Sequence, residues 1–145
     1  AAGGIGSGGA ILAAMCLGAD GVQIGSLFAA SKESSAHENF KRKIVESKLG
    51  DTKLTLKELT PVRLLKNEFY EKIQNAYNSN ASKEELINLL SKGRSKKGMF
   101  EGDMKNGELE IGQISASIKN LESVECIMNN LINEFNLTKQ QLLDL

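Results

Sequence analysis

The 145-residue chain is poor in the residues that most often carry chemistry. It holds one histidine, His37, and two cysteines, Cys16 and Cys126. The cysteines lie far apart and show no metal-type spacing, so they read as two structural free thiols of a protein kept in the reducing cytoplasm. Net charge is also absent, with 18 basic residues against 18 acidic ones. No global field therefore favours nucleic acid or an anionic membrane surface. No apolar run approaches the ~20 residues of a membrane span, and the N-terminus carries no basic leader of the signal-peptide kind. What remains is a chain of one-domain length with a hydrophobic fraction of 41%, enough for a core.

Distribution says more than totals. Residues 1–30 hold eight of the 14 glycines and a single charge, Asp20. After Ser31 the chain turns rich in Lys, Glu and Asn. The first thirty residues read as the interior of something larger, and the abrupt interior-type opening, Ala1-Ala2-Gly3-Gly4-Ile5, suggests a truncated N-terminus. The rest reads as a solvated, mostly helical periphery.

Along the chain, residues 6–9 form a glycine loop and 10–17 a short helix, apolar almost all round and so packed on more than one side. Gly18 closes it, Asp20-Gly21 is a tight turn, and residues 22–28 are a buried strand running into a loop. Strand end, helix, strand is most of one βα repeat of a parallel sheet. Ser35 and Glu38 have the spacing of a capping box, starting a helix to about Leu49 with Ala36, Phe40 and Ile44 on its apolar stripe. Residues 52–56 alternate like an exposed strand. A helix covers about 67–77, and a second capping box at Ser82 and Glu85 opens one that ends at Gly93. Asn106-Gly107 has the signature of a hairpin turn. A last long helix is predicted over 113–135, with Ile114, Ile118, Leu121, Val124, Met128, Leu131 and Phe135 as its stripe, and a short tail helix after Thr138.

Chemistry concentrates near the N-terminus. Several glycines in residues 3–9, just ahead of a helix, let backbone N–H groups approach an anion, and the helix dipole adds partial positive charge. About twenty residues on, Gly25-Ser26 offers a bare N–H and a hydroxyl at the end of the next strand. Two successive parallel strands ending this way match the phosphate site of (β/α)8 barrels, made by the loops after strands 7 and 8. Gly3-Gly4 then ends strand 7, and residues 22–26 are strand 8. Gly4, Gly6 and Gly9 also fit the dinucleotide pattern G-x-G-x-x-G, but no acidic residue closes the following strand.

The run AAGGI followed by GADGVQIGSLFAASKES resembles several phosphate-binding barrels, IMP dehydrogenases among them. The continuation separates these families. Lys32-Glu33-Ser34, Ala36-His37, Asn39-Phe40-Lys41 and Lys43-Ile44 resemble the segment after the last barrel strand in nitronate monooxygenases and in their relatives, the flavin-dependent enoyl-acyl-carrier-protein reductases. Residues 63–67, Glu101-Gly102-Asp103, Gly107 and Gly112-Gln113-Ile114 fit the same pair. The resemblance implies an α/β fold: the C-terminal part of an FMN-binding TIM (β/α)8 barrel with a mostly helical appended region. Residues 1–30 would be the last βα unit, 31–108 a peripheral small domain, and 109–145 helices packing back on the barrel. It implies FMN as cofactor, with Gly4, Gln23, Ile24, Gly25 and Ser26 at flavin-contacting positions and Gly3 letting the turn form. The implied activity is oxidation of nitronates by molecular oxygen. The alternatives are NAD(P)H-dependent reduction of an enoyl thioester and a non-catalytic barrel fragment. The family's catalytic histidine lies upstream of residue 1, so no catalytic residue is assigned here. The full-length protein is open to homo-oligomerisation.

The other polar residues have blander roles. His37 sits in the first turn of a surface helix and reads as structural, since a general base needs a positioned substrate and an orienting partner. Ser34 and Ser35 read as capping residues, because no His–acid pair is available to activate them. Lys92, Arg94, Lys96 and Lys97 read as a solvated loop, and Arg63 and Lys66 as rim residues rather than ligands.

Overall fold

A computed structural model describes residues 1–144. Its charged part is organised by an antiparallel hairpin of β1 (Thr52–Thr55) and β2 (Val62–Leu65), in the register Thr52↔Leu65 to Thr55↔Val62. Successive side chains of a strand face opposite ways, and β2 uses this directly. Leu65 packs with Ala30, Phe40, Ile44, Leu109, Ile111 and Ile118. Its neighbour Leu64 packs with Leu56, Phe69, Tyr70, Ile73 and Leu86. One short strand thus separates two cores. β1 matches the expected strand, although its end residues Thr52 and Thr55 are buried rather than exposed. β2 has no counterpart among the sequence expectations.

The helices are α1 (Gly8–Cys16), α2 (Ser26–Ala29), α3 (Glu38–Val45), α4 (Glu68–Asn78), α5 (Lys83–Leu90) and α6 (Val124–Leu143). α4 follows expectation, and α5 starts at its expected capping box but ends at Leu90 rather than Gly93, where Ser91 turns left-handed (φ +49°). Asn67 caps α4 by accepting the Tyr70 amide, and Ser82 and Glu85 form the full capping box of α5, each such cap contributing about 1 kcal/mol. α3 differs. Its N-cap is His37, whose Nδ1 accepts the Asn39 amide at 3.1 Å, not Ser35. The His37 amide donates to the Met99 carbonyl, 2.8 Å away, and this tertiary bond decides where the helix starts. α3 stops at Val45 rather than Leu49, as the Ser47 hydroxyl turns back to the Ile44 carbonyl and Asp51 takes the Lys48 amide.

Three further expectations change. Asn106-Gly107 does not make a hairpin. The Asp103 carboxylate accepts the Lys105 and Asn106 amides, and the Asn67 carboxamide donates to the Met104 and Gly107 carbonyls. Residues 109–111 pair instead with the free edge of β2, through Leu65 N to Leu109 O and Ile111 N to Arg63 O. The predicted helix over 113–135 is a 3-10 turn (Gln113–Ser117), an extended link and then α6, which begins behind the Ser123 cap and absorbs the tail helix. The Glu122 carbonyl accepts the Lys32 amide and the Glu33 carboxylate accepts the Val124 amide, pinning that late start. The basic loop is also not merely solvated. Arg94 lies 4.5 Å from the Phe69 ring centroid and donates to the Leu89, Leu90 and Asn106 carbonyls, and Lys96 and Lys97 pair with Glu101 and Asp103.

The N-terminal region is α/β in outline. Gln23 forms a parallel bridge with Ala2, with α1 between them. The expected strand over 22–28 is limited to this bridge, because Ser26–Ala29 winds into the single turn of α2. α1 lies on α6 at a close crossing. A Cβ on Gly8 would stand 2.2 Å from the Phe135 nitrogen and 2.4 Å from the Leu131 carbonyl oxygen, so only glycine permits the approach. Cys16 and Cys126 are both free and exposed, which removes a packing role for either. No helix among the described residues is long and apolar enough to cross a membrane.

Candidate anion site at two glycine turns

A parallel pair of segments runs in one direction, so whatever follows each partner emerges at the same end. The bridge joins Ala2 to Gln23, and the Gln23 amide donates to the Ala1 carbonyl at 2.8 Å. Gly3-Gly4 follows the first partner and Ile24-Gly25-Ser26 the second. The two turns singled out in the sequence, about twenty residues apart, therefore open at one edge.

Each residue has a distinct place there. Gly3 (φ +84°) and Gly4 (φ +74°) adopt the left-handed conformation that favours glycine, and both are exposed. Gln23 is exposed, whereas Ile24 alternates to the other face with Val22 and lines an apolar groove of about 420 Å³ beside Phe28. Ile24 can therefore reach an anion at the turns only through its backbone. Gly25 has an ordinary φ of −100°, and a Cβ there would meet nothing within 4 Å. Neither conformation nor packing within the chain requires glycine at 25; close approach by something outside the chain would. The Ser26 oxygen accepts the Gly112 amide at 3.2 Å, which leaves its own O–H free to donate elsewhere. Among the described residues, none accepts a hydrogen bond from the amides of Gly3, Gly4, Gly25 or Ser26.

One part of the sequence expectation is altered. Three of the first four amides of α1 are already satisfied from within. The Glu134 carboxylate accepts the Gly8 amide at 2.8 Å, the Ser7 hydroxyl oxygen accepts the Ala10 amide and the Ser7 carbonyl accepts the Ile11 amide. A carboxylate supplied by α6 thus stands where the helix dipole would attract a ligand. Backbone amides unpaired among the described residues remain at the two glycine turns.

Sequence reasoning did not place residues 112–114 or Glu134 here. The triplet Gly112-Gln113-Ile114 crosses the site from the far end of the chain: Gly112 bonds Ser26, Gln113 overhangs Gly4 and Ile114 covers Gly6. Nothing local signals an encounter between segments 86 residues apart.

The sequence model of a family described as nitronate monooxygenase matches residues 1–134. The chain belongs to the nitronate monooxygenase family. It is 33% identical over 138 residues to a probable nitronate monooxygenase of Staphylococcus saprophyticus, covering 94% of this chain and 38% of that protein. A probable nitronate monooxygenase of Staphylococcus aureus is 33% identical over 141 residues, covering 97% and 39%. The chain thus spans less than half the length of these curated relatives. Among solved structures, FabK from Thermotoga maritima superposes with a TM-score of 0.87 at 34% identity, over 97% of this chain and 45% of that one. A nitroalkane oxidase from Streptomyces ansochromogenes superposes with a TM-score of 0.76 at 29% identity, over 97% and 40%. The matched family and both of these curated relatives are named for nitronate monooxygenase activity.

Proposed function

We propose that the full-length protein binds FMN and oxidises nitronates with molecular oxygen, the flavin phosphate resting against the turns at Gly3-Gly4 and Gly25-Ser26. The observation that carries this reading is the parallel Ala2–Gln23 bridge, which brings both turns to one edge with free amides. Gly25 fits it independently, being a glycine that nothing in the chain itself demands. Bound there, FMN supplies the redox chemistry, and the protein binds and orients it. Backbone N–H groups at the turns and the free Ser26 O–H are the donors this chain contributes.

On this reading residues 1–30 are the last βα unit of a TIM (β/α)8 barrel, 31–108 a peripheral domain and 109–145 the segment that packs back on it. Barrel closure would cover the apolar groove beside Ile24. The substrate is a small nitronate met in the cytoplasm, with neither nucleic acid nor membrane involved.

The test is Gly25→Val in the full-length protein. A β-branched side chain should block close approach, and the protein should purify without flavin and without nitronate-dependent oxygen uptake. Full yellow occupancy in Gly25→Val would remove the site assignment. A parent protein that consumed NAD(P)H with an enoyl thioester, and took up no oxygen with nitronates, would replace the activity.

A further inference from the structure

We propose that Gln113 is a direct phosphate contact of this site, its carboxamide donating to the anion cradled by the two glycine turns. The inference rests on the flavin-phosphate reading above and adds to it a residue that lies far away in sequence.

Three consecutive residues carry the argument. The Gly112 amide donates to the Ser26 oxygen at 3.2 Å, and a Cβ on Gly112 would lie 2.7 Å from that oxygen, so the contact requires glycine. The Ile114 side chain sits against Gly6, where an added Cβ would fall 2.6 Å from Ile114 Cγ2. The backbone on each side of Gln113 is therefore held, once by the second turn and once by the loop after the first. Between these anchors Gln113 Nε2 lies 3.8 Å from the position a Cβ would take on Gly4. A carboxamide placed there overhangs the left-handed turn whose amides face the anion.

The chemistry suits the place. Gln113 is exposed, and among the described residues none accepts a hydrogen bond from its carboxamide. A primary amide offers two N–H donors without a charge of its own. It therefore adds a directed hydrogen bond to the phosphate while the backbone amides supply the rest. Because 112–114 is tethered at both ends, little backbone freedom remains to be lost when the ligand arrives.

The experiment uses full-length protein stripped of flavin and titrated by fluorescence with FMN and with riboflavin, which lacks the phosphate. The parent should prefer FMN. Gln113→Met keeps the length and removes the donors, and should weaken FMN by roughly tenfold, the worth of a hydrogen bond to a charged group. Gln113→Glu places a carboxylate against the phosphate and should weaken FMN more, with riboflavin binding unchanged in both variants. Loss of FMN and riboflavin in parallel would make Gln113 a packing residue and overturn the proposal. So would parent-like FMN binding in both variants while Gly25→Val loses FMN, a result that leaves the site reading standing. If the parent binds FMN and riboflavin equally and Gly25→Val has no effect, the site reading itself fails and Gln113 falls with it.

Discussion

The hairpin lobe and the α1–α6 region handle their apolar residues differently. In the lobe, Phe40, Ile44, Leu56, Leu64, Leu65, Phe69 and Ile73 are each at most 1% exposed. In the other region Met15 and Met128 are 43% exposed and Ile132 51%, and with Ile11, Val22, Ile24 and Phe28 they line the open apolar groove. Polar groups diverge in the opposite sense. The lobe spends its side chains on helix caps, carbonyls and ion pairs, whereas the N-terminal region leaves backbone amides free at its glycine turns. The lobe completes its own cores. The N-terminal region keeps an apolar face on one side and hydrogen-bond donors at its edge, the arrangement of a surface meant to meet something else.

Substitutions in the two regions should separate accordingly. The largest expected effect is Phe69→Ala, which empties a fully buried site and removes the ring beneath Arg94. A loss of about 3–5 kcal/mol is expected from denaturant unfolding. A loss below about 1 kcal/mol would mean that the lobe is no better packed than the groove.

Gly8→Ala tests the other region. Its methyl would run into the α6 backbone, and overpacking of this kind costs roughly 1–3 kcal/mol. Limited proteolysis should find α6 released while the α4–α5 segment stays protected. If both regions became equally susceptible, the distinction between them would not hold.

His37→Ala should be smaller. It removes the Nδ1 cap of α3 and a ring packed on Gly102, about 1 kcal/mol of stability. Turnover of the full-length protein should stay within a few-fold of the parent. A thousandfold loss with flavin still bound would make His37 part of the chemistry.

The smallest effect concerns acid. The Asn106 amide first, and then the Lys97 ammonium, hold the Asp103 carboxyl down to about 2 against an ordinary 3.8. Its folded value lies below its unfolded one, so its stabilising contribution is present above pH 3.8 and lost as pH falls toward about 2. Asp103→Asn should flatten stability across that window, and thermal melts between the two pH values would detect it. Unchanged acid sensitivity would show that the turn gains nothing from ionisation.

Where expectation and structure part, a distant partner decides. Ser35 and Glu38 have capping-box spacing, yet Met99 takes the His37 amide and shifts the start of α3. Asn106-Gly107 looks like a hairpin turn, yet Arg94 holds the Asn106 carbonyl, Asn67 holds that of Gly107, and β2 claims residues 109–111. Strand β2 went unseen because Leu64 and Leu65 are both buried, one in each core, so the alternation that marks a half-exposed strand is missing.

The sequence by itself determined the features that depend on neighbours in the chain. These are the glycine turns with their twenty-residue spacing, α1, α4, the capping box of α5, and the contrast between an almost uncharged N-terminus and a charged remainder. Local backbone preference and periodicity suffice for each. Tertiary structure alone decided which carboxylate caps α1 and which segment lies across the glycine turns. Those choices are contacts between Gly8 and Glu134, and between Ser26 and Gly112, 126 and 86 residues apart. Such pairs form only once packing has brought whole elements together, and no local pattern encodes them.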